Sequence, residues 1–303
     1  MNIVDCYRKA TAVIPGSRKR AWLKRINFVL RVYFRHRRTV QAVEEFFDQN
    51  ALRQSLIEIN GFRERIYQQQ VKSCFYNRSE ACNRLHYLKS HFALLEQRHT
   101  PEIIQAFYTS KFPQFAIQEQ DSLLSVKICY DHVILREGLL WFLLEFNGVV
   151  VCKITFWLAE INRIPSLCIG ALQGGKYMLD VNRDFTKEFY GLRPQNMALH
   201  FLRAYAKSID VEQILCLPKE KMFCQNIAEQ TAIDELWQEQ NAQPLAGTPT
   251  LNLPLETPRK PLEEIASKKR SMYKKRFDFL DKADLLFKEK MQKSRKIPLQ
   301  TAA

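Results

Sequence analysis

The spacing of apolar positions switches from a helical to a strand period near residue 122. Before that point, Trp22, Ile26, Val29, Tyr33, Val40, Val43 and Phe47 recur at intervals of three, four and seven, drawing one stripe on a helix over 21–48. Lys24, Arg31, Arg35 and Arg38 recur in the same way on another face, so this helix is amphipathic and basic. Such a helix either packs its stripe on its own domain or lies on a membrane surface. Further helices are expected near 51–58 and 79–98. Another opens at Thr100-Pro101-Glu102, where threonine caps, proline takes the first helical position and glutamate complements the dipole.

After residue 122 the pattern is that of a sheet. Leu123–Tyr130 reads as a strand, and Leu139–Phe146 and Val149–Leu158 flank Asn147-Gly148, the signature of a two-residue type I′ hairpin. The near-continuous apolarity of that hairpin implies that both its faces are covered and that it lies mid-sheet. Ser166–Leu172 is a further strand ending at Gln173-Gly174-Gly175-Lys176. Pro194 then opens a helix whose Ala198, Phe201, Leu202, Tyr205 and Ile209 share a face, and Val211–Leu217 returns as a strand, making a right-handed crossover unit. Thr250–Leu255, among five prolines, is at best an edge strand. A terminal helix from Pro261 to about Lys293 carries Tyr273, Phe277, Leu280, Ala283, Phe287 and Met291 on one face. The expected architecture is α+β, with a mixed, mostly antiparallel sheet and a helix crossover. Its expected divisions are a helical, basic region over 1–110, a mixed core over 111–258 and a basic helix over 259–303 packed on that core.

Charge sharpens this picture. The net charge is +14 over 303 residues, and residues 1–50 hold 11 Lys/Arg against 4 Asp/Glu while residues 259–303 hold 14 against 6. The two ends therefore carry +7 and +8, and the 208 residues between them sum to −1. Ends of this kind favour anionic lipid, a lipopolysaccharide precursor or an acidic protein, although a merely solvated basic surface has the same composition. The candidate contacts are Lys24, Arg31, Arg35 and Arg38 at one end and Lys268, Lys269, Arg270, Lys274, Lys275 and Arg276 at the other. Nucleic acid suits them less, because no aromatic interleaving or binding module accompanies the charge.

The eight cysteines include no C-x-x-C pair, which excludes a zinc site of the usual spacing and points to a reducing compartment. No signal peptide or transmembrane run is apparent, since Gly138–Ala159 is broken by Glu145, Asn147, Gly148 and Lys153. No phosphate loop, nucleophile elbow or zinc-protease motif is present, and no metal site is expected. The six histidines are scattered, and His86 and His91 read as packed or surface residues. Gln173, Gly174, Gly175 and Lys176 form the one segment shaped for an anion, with unobstructed backbone N–H groups beside a cation, although an ordinary turn has the same residues.

Several stretches together resemble the VirK/YbjX family of Gram-negative bacteria. These are Leu85–Phe92, Arg136-Glu137-Gly138, Ile169–Gly174, Tyr190-Gly191-Leu192-Arg193-Pro194 and Lys269–Arg276 with Phe277–Asp281, spanning roughly 60–285. The resemblance implies a cytoplasmic protein, or one peripheral at the inner membrane, that supports cell-envelope and surface-protein biogenesis and virulence without an established reaction. Where the family carries an Asn/His/Tyr pattern after the strand ending at Leu217, this chain has Pro218–Phe223 and no histidine. The element order also resembles a GNAT-type N-acyltransferase core. That likeness implies an acyl-CoA or acyl carrier protein donor held at Gln173–Lys176 and a surface-protein or lipid A precursor as acceptor. In such cores the donor loop leads directly into the crossover helix, whereas here nearly twenty residues separate Lys176 from Pro194.

Overall fold

The computed structural model describes residues 6, 9–11, 14, 19–59, 61–109, 114–130, 136–174, 179–223 and 227–292. The N-terminal third is helical. Helix α1 (Lys19–Arg31) passes through a π-helical turn, Val32–His36, into α2 (Arg37–Asp48). Phe28, Val29, Val32, Val40, Val43 and Phe47 turn inward as the apolar period requires, but Trp22 remains 50% exposed. Helices α3 (Ala51–Ile57), α4 (Phe62–Val71), α5 (Ala81–Arg98) and α6 (Pro101–Thr109) follow.

Among the described residues the sheet has eight strands: β1 (Phe115–Glu119), β2 (Ser122–Cys129), β3 (Leu140–Phe146), β4 (Val149–Ile161), β5 (Ile164–Gly174), β6 (Gln213–Cys216), β7 (Gln243–Pro244) and β8 (Leu251–Leu253). Their spatial order is β1-β2-β3-β4-β5-β6-β8-β7, and every pairing is antiparallel except β5 with β6. The expected hairpin is present: Asn147 and Gly148 adopt φ of 50° and 77°, the left-handed pair a type I′ turn requires. Its strands stand third and fourth in the order, with neighbours on both sides. Strand β8, flanked by Pro249 and Pro254, has only the two-residue β7 beyond it.

Between β5 and β6 the chain forms α7 (Leu179–Glu188) and the crossover helix α8 (Pro194–Ser208). Helix α8 packs against β3, β4, β5 and β6. Helix α9 (Ile227–Glu239) precedes β7, and α10 (Ser267–Gln292) lies on α8 and β1. Buried apolar residues from the helical third, the sheet and α10 belong to one continuous core cluster.

Strand β4 outruns β3, and α5 covers the uncovered stretch. Its Ser90 and His91 side chains accept the Glu160 and Leu158 N–H groups at 2.7 and 3.0 Å, and His86 Nε2 lies 2.9 Å from the Glu160 carbonyl. These histidines satisfy backbone that would otherwise be an open sheet edge. Burial holds His91 neutral by pushing its pKa down to about 3.

Candidate functional site

The parallel strands β5 and β6 pair only over Ser166–Ile169 and Gln213–Cys216. One residue later β5 bulges. Phe156 of β4 faces Ile169 and Thr155 faces Ala171, so Gly170 has no partner. Only glycine suits that position, because a Cβ there would stand 1.6 Å from the Glu137 carbonyl oxygen of the segment crossing over it. Beyond the bulge Ala171–Gly174 stays paired to β4, while no described strand pairs with its other edge. The strand thus ends in a notch along which no described strand takes up its second edge.

The N-terminus of α8 borders that notch. A Cβ on Gly174 would lie 3.0 Å from Gln195 Nε2, so the nearly twenty-residue sequence gap is closed in space by the excursion through α7. Arg193 precedes α8 without a side-chain cap, and the first backbone bond of the helix is Met197 N to Arg193 O at 3.1 Å. The amides of Gln195 and Asn196 come before it, where a helix end is electropositive. An open hollow of about 850 Å³ adjoins them, lined by Leu179, Arg183, Lys187, Arg193 and Gln195 among others. Arg193 is ion-paired with Glu239.

Of the four residues expected to hold an anion, Gln173 and Gly174 stand at this notch, and Gly175 and Lys176 lie outside the described residues. Sequence spacing missed the α8 terminus as their neighbour. The proline after Arg193 signalled a helix start, but nothing in the sequence announced that α7 would fold the intervening residues aside.

The basic candidates separate into two kinds. Arg276 donates to the Tyr190 carbonyl at 2.7 and 3.0 Å and stacks 4.0 Å from the Tyr273 ring centroid. Gly191, at φ 78°, allows this approach, since a Cβ there would meet Arg276 Nη2 at 2.8 Å. Arg270 likewise bonds the Ile265 and Glu263 carbonyls. Both arginines brace loops. Lys268, Lys269, Lys274 and Lys275 are exposed on α10, and Lys24, Arg31, Arg35 and Arg38 are exposed on α1, the π turn and α2, with no ion pair to any described carboxylate. No described carboxylate of the body therefore neutralises these eight cations, although Lys282, further along α10, pairs with Glu119 of β1.

A profile of the family described as "Protein of unknown function (DUF535)" matches residues 17–289, which hold the notch, the crossover and most of α10. The chain belongs to the DUF535 family. It is 29% identical to the "Uncharacterized protein YbjX" of Escherichia coli K12 over 143 residues, which is 45% of this chain and 43% of that protein. It is 26% identical to an "Uncharacterized protein" of Haemophilus influenzae over 284 residues, covering 89% of this chain and 93% of that one. The VirK/YbjX resemblance carried by Leu85–Phe92, Ile169–Gly174 and Tyr190–Pro194 thus agrees with the family match. Within this DUF535 chain those stretches are the β4 edge cover, the bulged strand and the turn braced by Arg276. Among the described residues no helix is long and apolar enough to cross a membrane.

Proposed function

We propose that this protein binds an activated acyl donor, as acyl-CoA or an acyl carrier protein thioester, in the notch at the end of β5. It transfers the acyl group to an amine of a surface protein or lipid A precursor. The observation that carries this reading is the coincidence of three features: the Gly170 bulge, the end of β5–β6 pairing at Ile169, and the uncapped start of α8 beside Gly174. The unpaired edge of Ala171–Gly174 offers the alternating donors and acceptors that the amides of a pantetheine arm require. The α8 amides, with Arg183 and Lys187 nearby, suit its phosphates. In the transfer the amine nitrogen attacks the thioester carbonyl, the C–N bond forms as the C–S bond breaks, and the proton leaves with the thiol. The resemblance to a GNAT-type core supports this assignment at the level of fold, which alone does not fix function.

The place of action in this reading is the inner face of the cytoplasmic membrane, in envelope biogenesis and virulence. The VirK/YbjX resemblance supports that placement, as do the exposed Lys24 and Arg31 of α1 and Lys268, Lys269, Lys274 and Lys275 of α10, which pair with no described carboxylate.

Thermal unfolding with and without donor tests the proposal. A donor at about one hundred times its Kd stabilises the fold by about 2.7 kcal/mol. Acyl-CoA or acyl carrier protein is expected to raise Tm, and Gly174→Leu, which crowds the Gln195 side chain at the notch, to abolish the rise. No stabilisation at saturating concentrations of either donor removes the reading.

A further inference from the structure

Helix α1 is apolar on two sides. Phe28 and Val29 pack into the core, yet Trp22, Leu23, Leu30 and Phe34 are 50, 53, 47 and 74% exposed, a concentration of bare hydrophobic surface unmatched elsewhere among the described residues. Leu23 and Leu30 stand seven residues apart, on one outward face, and Phe34 follows within the π turn. Lys24 and Arg31, each one residue later, form the adjoining strip. Water-facing leucine and phenylalanine side chains in a row beside cations are the composition of a helix that lies in a lipid interface.

Beside that strip is a pocket of about 360 Å³. Lys24, Arg31 and Lys72 stand around it, Asn27 and Gln68 add neutral amides, and no carboxylate lines it among the described residues. The three cations make no ion pair with any described group. Lys72 is pushed below the ordinary lysine range by partial burial and then by Arg136, Arg31, Lys24 and Arg65, so the cations of the cluster repel one another. A dianionic or monoanionic oxygen group would relieve that repulsion and accept hydrogen bonds from Lys24, Arg31 and Lys72.

The geometry points to α1 as the membrane-docking element of this protein, with Trp22, Leu23, Leu30 and Phe34 entering the acyl region of an anionic bilayer while a lipid phosphate sits among Lys24, Arg31 and Lys72. Apolar surface gives the depth and the pocket gives the headgroup charge. This assignment deepens the peripheral location proposed above and is independent of the donor notch.

Co-sedimentation of the full chain with vesicles of phosphatidylcholine, alone or mixed with phosphatidylglycerol, tests it without any thioester present. Binding is expected to the mixed vesicles only, with a blue shift of emission that Trp22→Phe removes. Leu30→Ser with Phe34→Ser is expected to weaken binding at least about tenfold, from the apolar surface lost. Lys24→Gln, Arg31→Gln and Lys72→Gln together are expected to weaken it roughly a hundredfold, at about one cation's worth of surface attraction each. All five positions are exposed, so unchanged Tm and circular dichroism establish that these variants fold. Failure of the full chain to bind mixed vesicles overturns the assignment. So does an equal loss from Lys268→Gln, Lys269→Gln, Lys274→Gln and Lys275→Gln on α10, which would mean diffuse attraction without a dedicated element. Donor-induced stabilisation remains measurable whichever way the vesicle result falls.

Discussion

Replacing Gly170 with alanine probes the contact that shapes the bulge. The added methyl would lie 1.6 Å from the Glu137 carbonyl oxygen and 2.6 Å from its carbon. Carbon–oxygen contacts close no further than about 3.3 Å, so one main-chain segment must move by about 1.7 Å. That segment is pinned on both sides: the Arg136 carbonyl accepts the Phe75 N–H at 2.5 Å and Leu139 N donates to Phe156 O at 3.0 Å. Overpacking costs about 1–3 kcal/mol, and losing or stretching two hydrogen bonds adds about 1 kcal/mol each, giving roughly 3–5 kcal/mol. Gly148→Ala is the control. It sits at φ 77° with no atom within 4 Å of a new Cβ, so it meets only the left-handed backbone penalty of about 1–2 kcal/mol. Urea unfolding followed by tryptophan emission measures both, with equal m-values licensing the comparison. If Gly170→Ala proves no more costly than Gly148→Ala, the steric account of the bulge is wrong.

Arg84 is 4% exposed and bonds the Gln70 carbonyl at 2.9 and 3.2 Å and the Ser79 carbonyl, so Arg84→Met should cost roughly 2–4 kcal/mol by stranding both acceptors. Urea midpoints check this, and a loss below about 1 kcal/mol would contradict it. The His91 pKa of about 3 lies below its ordinary 6.5, so the unfolded chain takes up a proton that the native chain refuses. Its contribution is intact above pH 6.5 and is lost as pH falls toward 3, reaching about 2 kcal/mol at pH 5. His91→Gln, less stable at neutral pH, should flatten that slope, and parallel slopes in the two proteins would refute the assignment. Burial pushes the thiols of Cys74, Cys168 and Cys216 well up and that of Cys152 to about 12, while Cys82 is exposed. Cys82→Ser should therefore remove one fast-reacting equivalent in a thiol titration, and alanine at any of the four buried positions should remove none.

Period and turn chemistry made much of the sheet legible. Asn147-Gly148 fixed the hairpin because only residues tolerant of positive φ permit a two-residue I′ turn, and Pro194 marked the start of the crossover helix. Strand β1 and helices α4, α7 and α9 escaped. β1 is five residues long, and α7 buries only Phe185, which leaves it little apolar period to read. At α1 the period found the buried stripe but assigned Trp22 to it, because spacing along a helix cannot tell which of two apolar faces meets the core. The candidate site was half legible. A glycine pair after a strand suggested an anion loop, yet the bulge one turn earlier depends on Glu137, thirty-three positions away in sequence, and no local pattern encodes that approach. The stretches that carried the family resemblance proved largely architectural, since Leu85–Phe92 seals the β4 edge and Arg276 braces Tyr190-Gly191.

Charge that holds this fold and charge left over from it can be told apart by what the nitrogen atoms touch. Arg203, 1% exposed, bonds the Pro254 carbonyl and the Gln240 amide oxygen, each at 2.8 Å, and Arg84, Arg270 and Arg276 likewise satisfy backbone carbonyls. These are short contacts that salt screens little. Lys24, Arg31, Arg35, Arg38, Lys268, Lys269, Lys274 and Lys275 pair with no described carboxylate, and they lie in the two ends that carry +7 and +8 while the central 208 residues sum to −1. Their mutual repulsion opposes compactness and is screened by salt. Raising ionic strength should therefore raise Tm slightly while weakening attachment to anionic vesicles. A protein whose terminal cations were tied into the body by ion pairs would lose stability under the same change, so the sign of the Tm response decides whether that charge belongs to the fold or faces a partner.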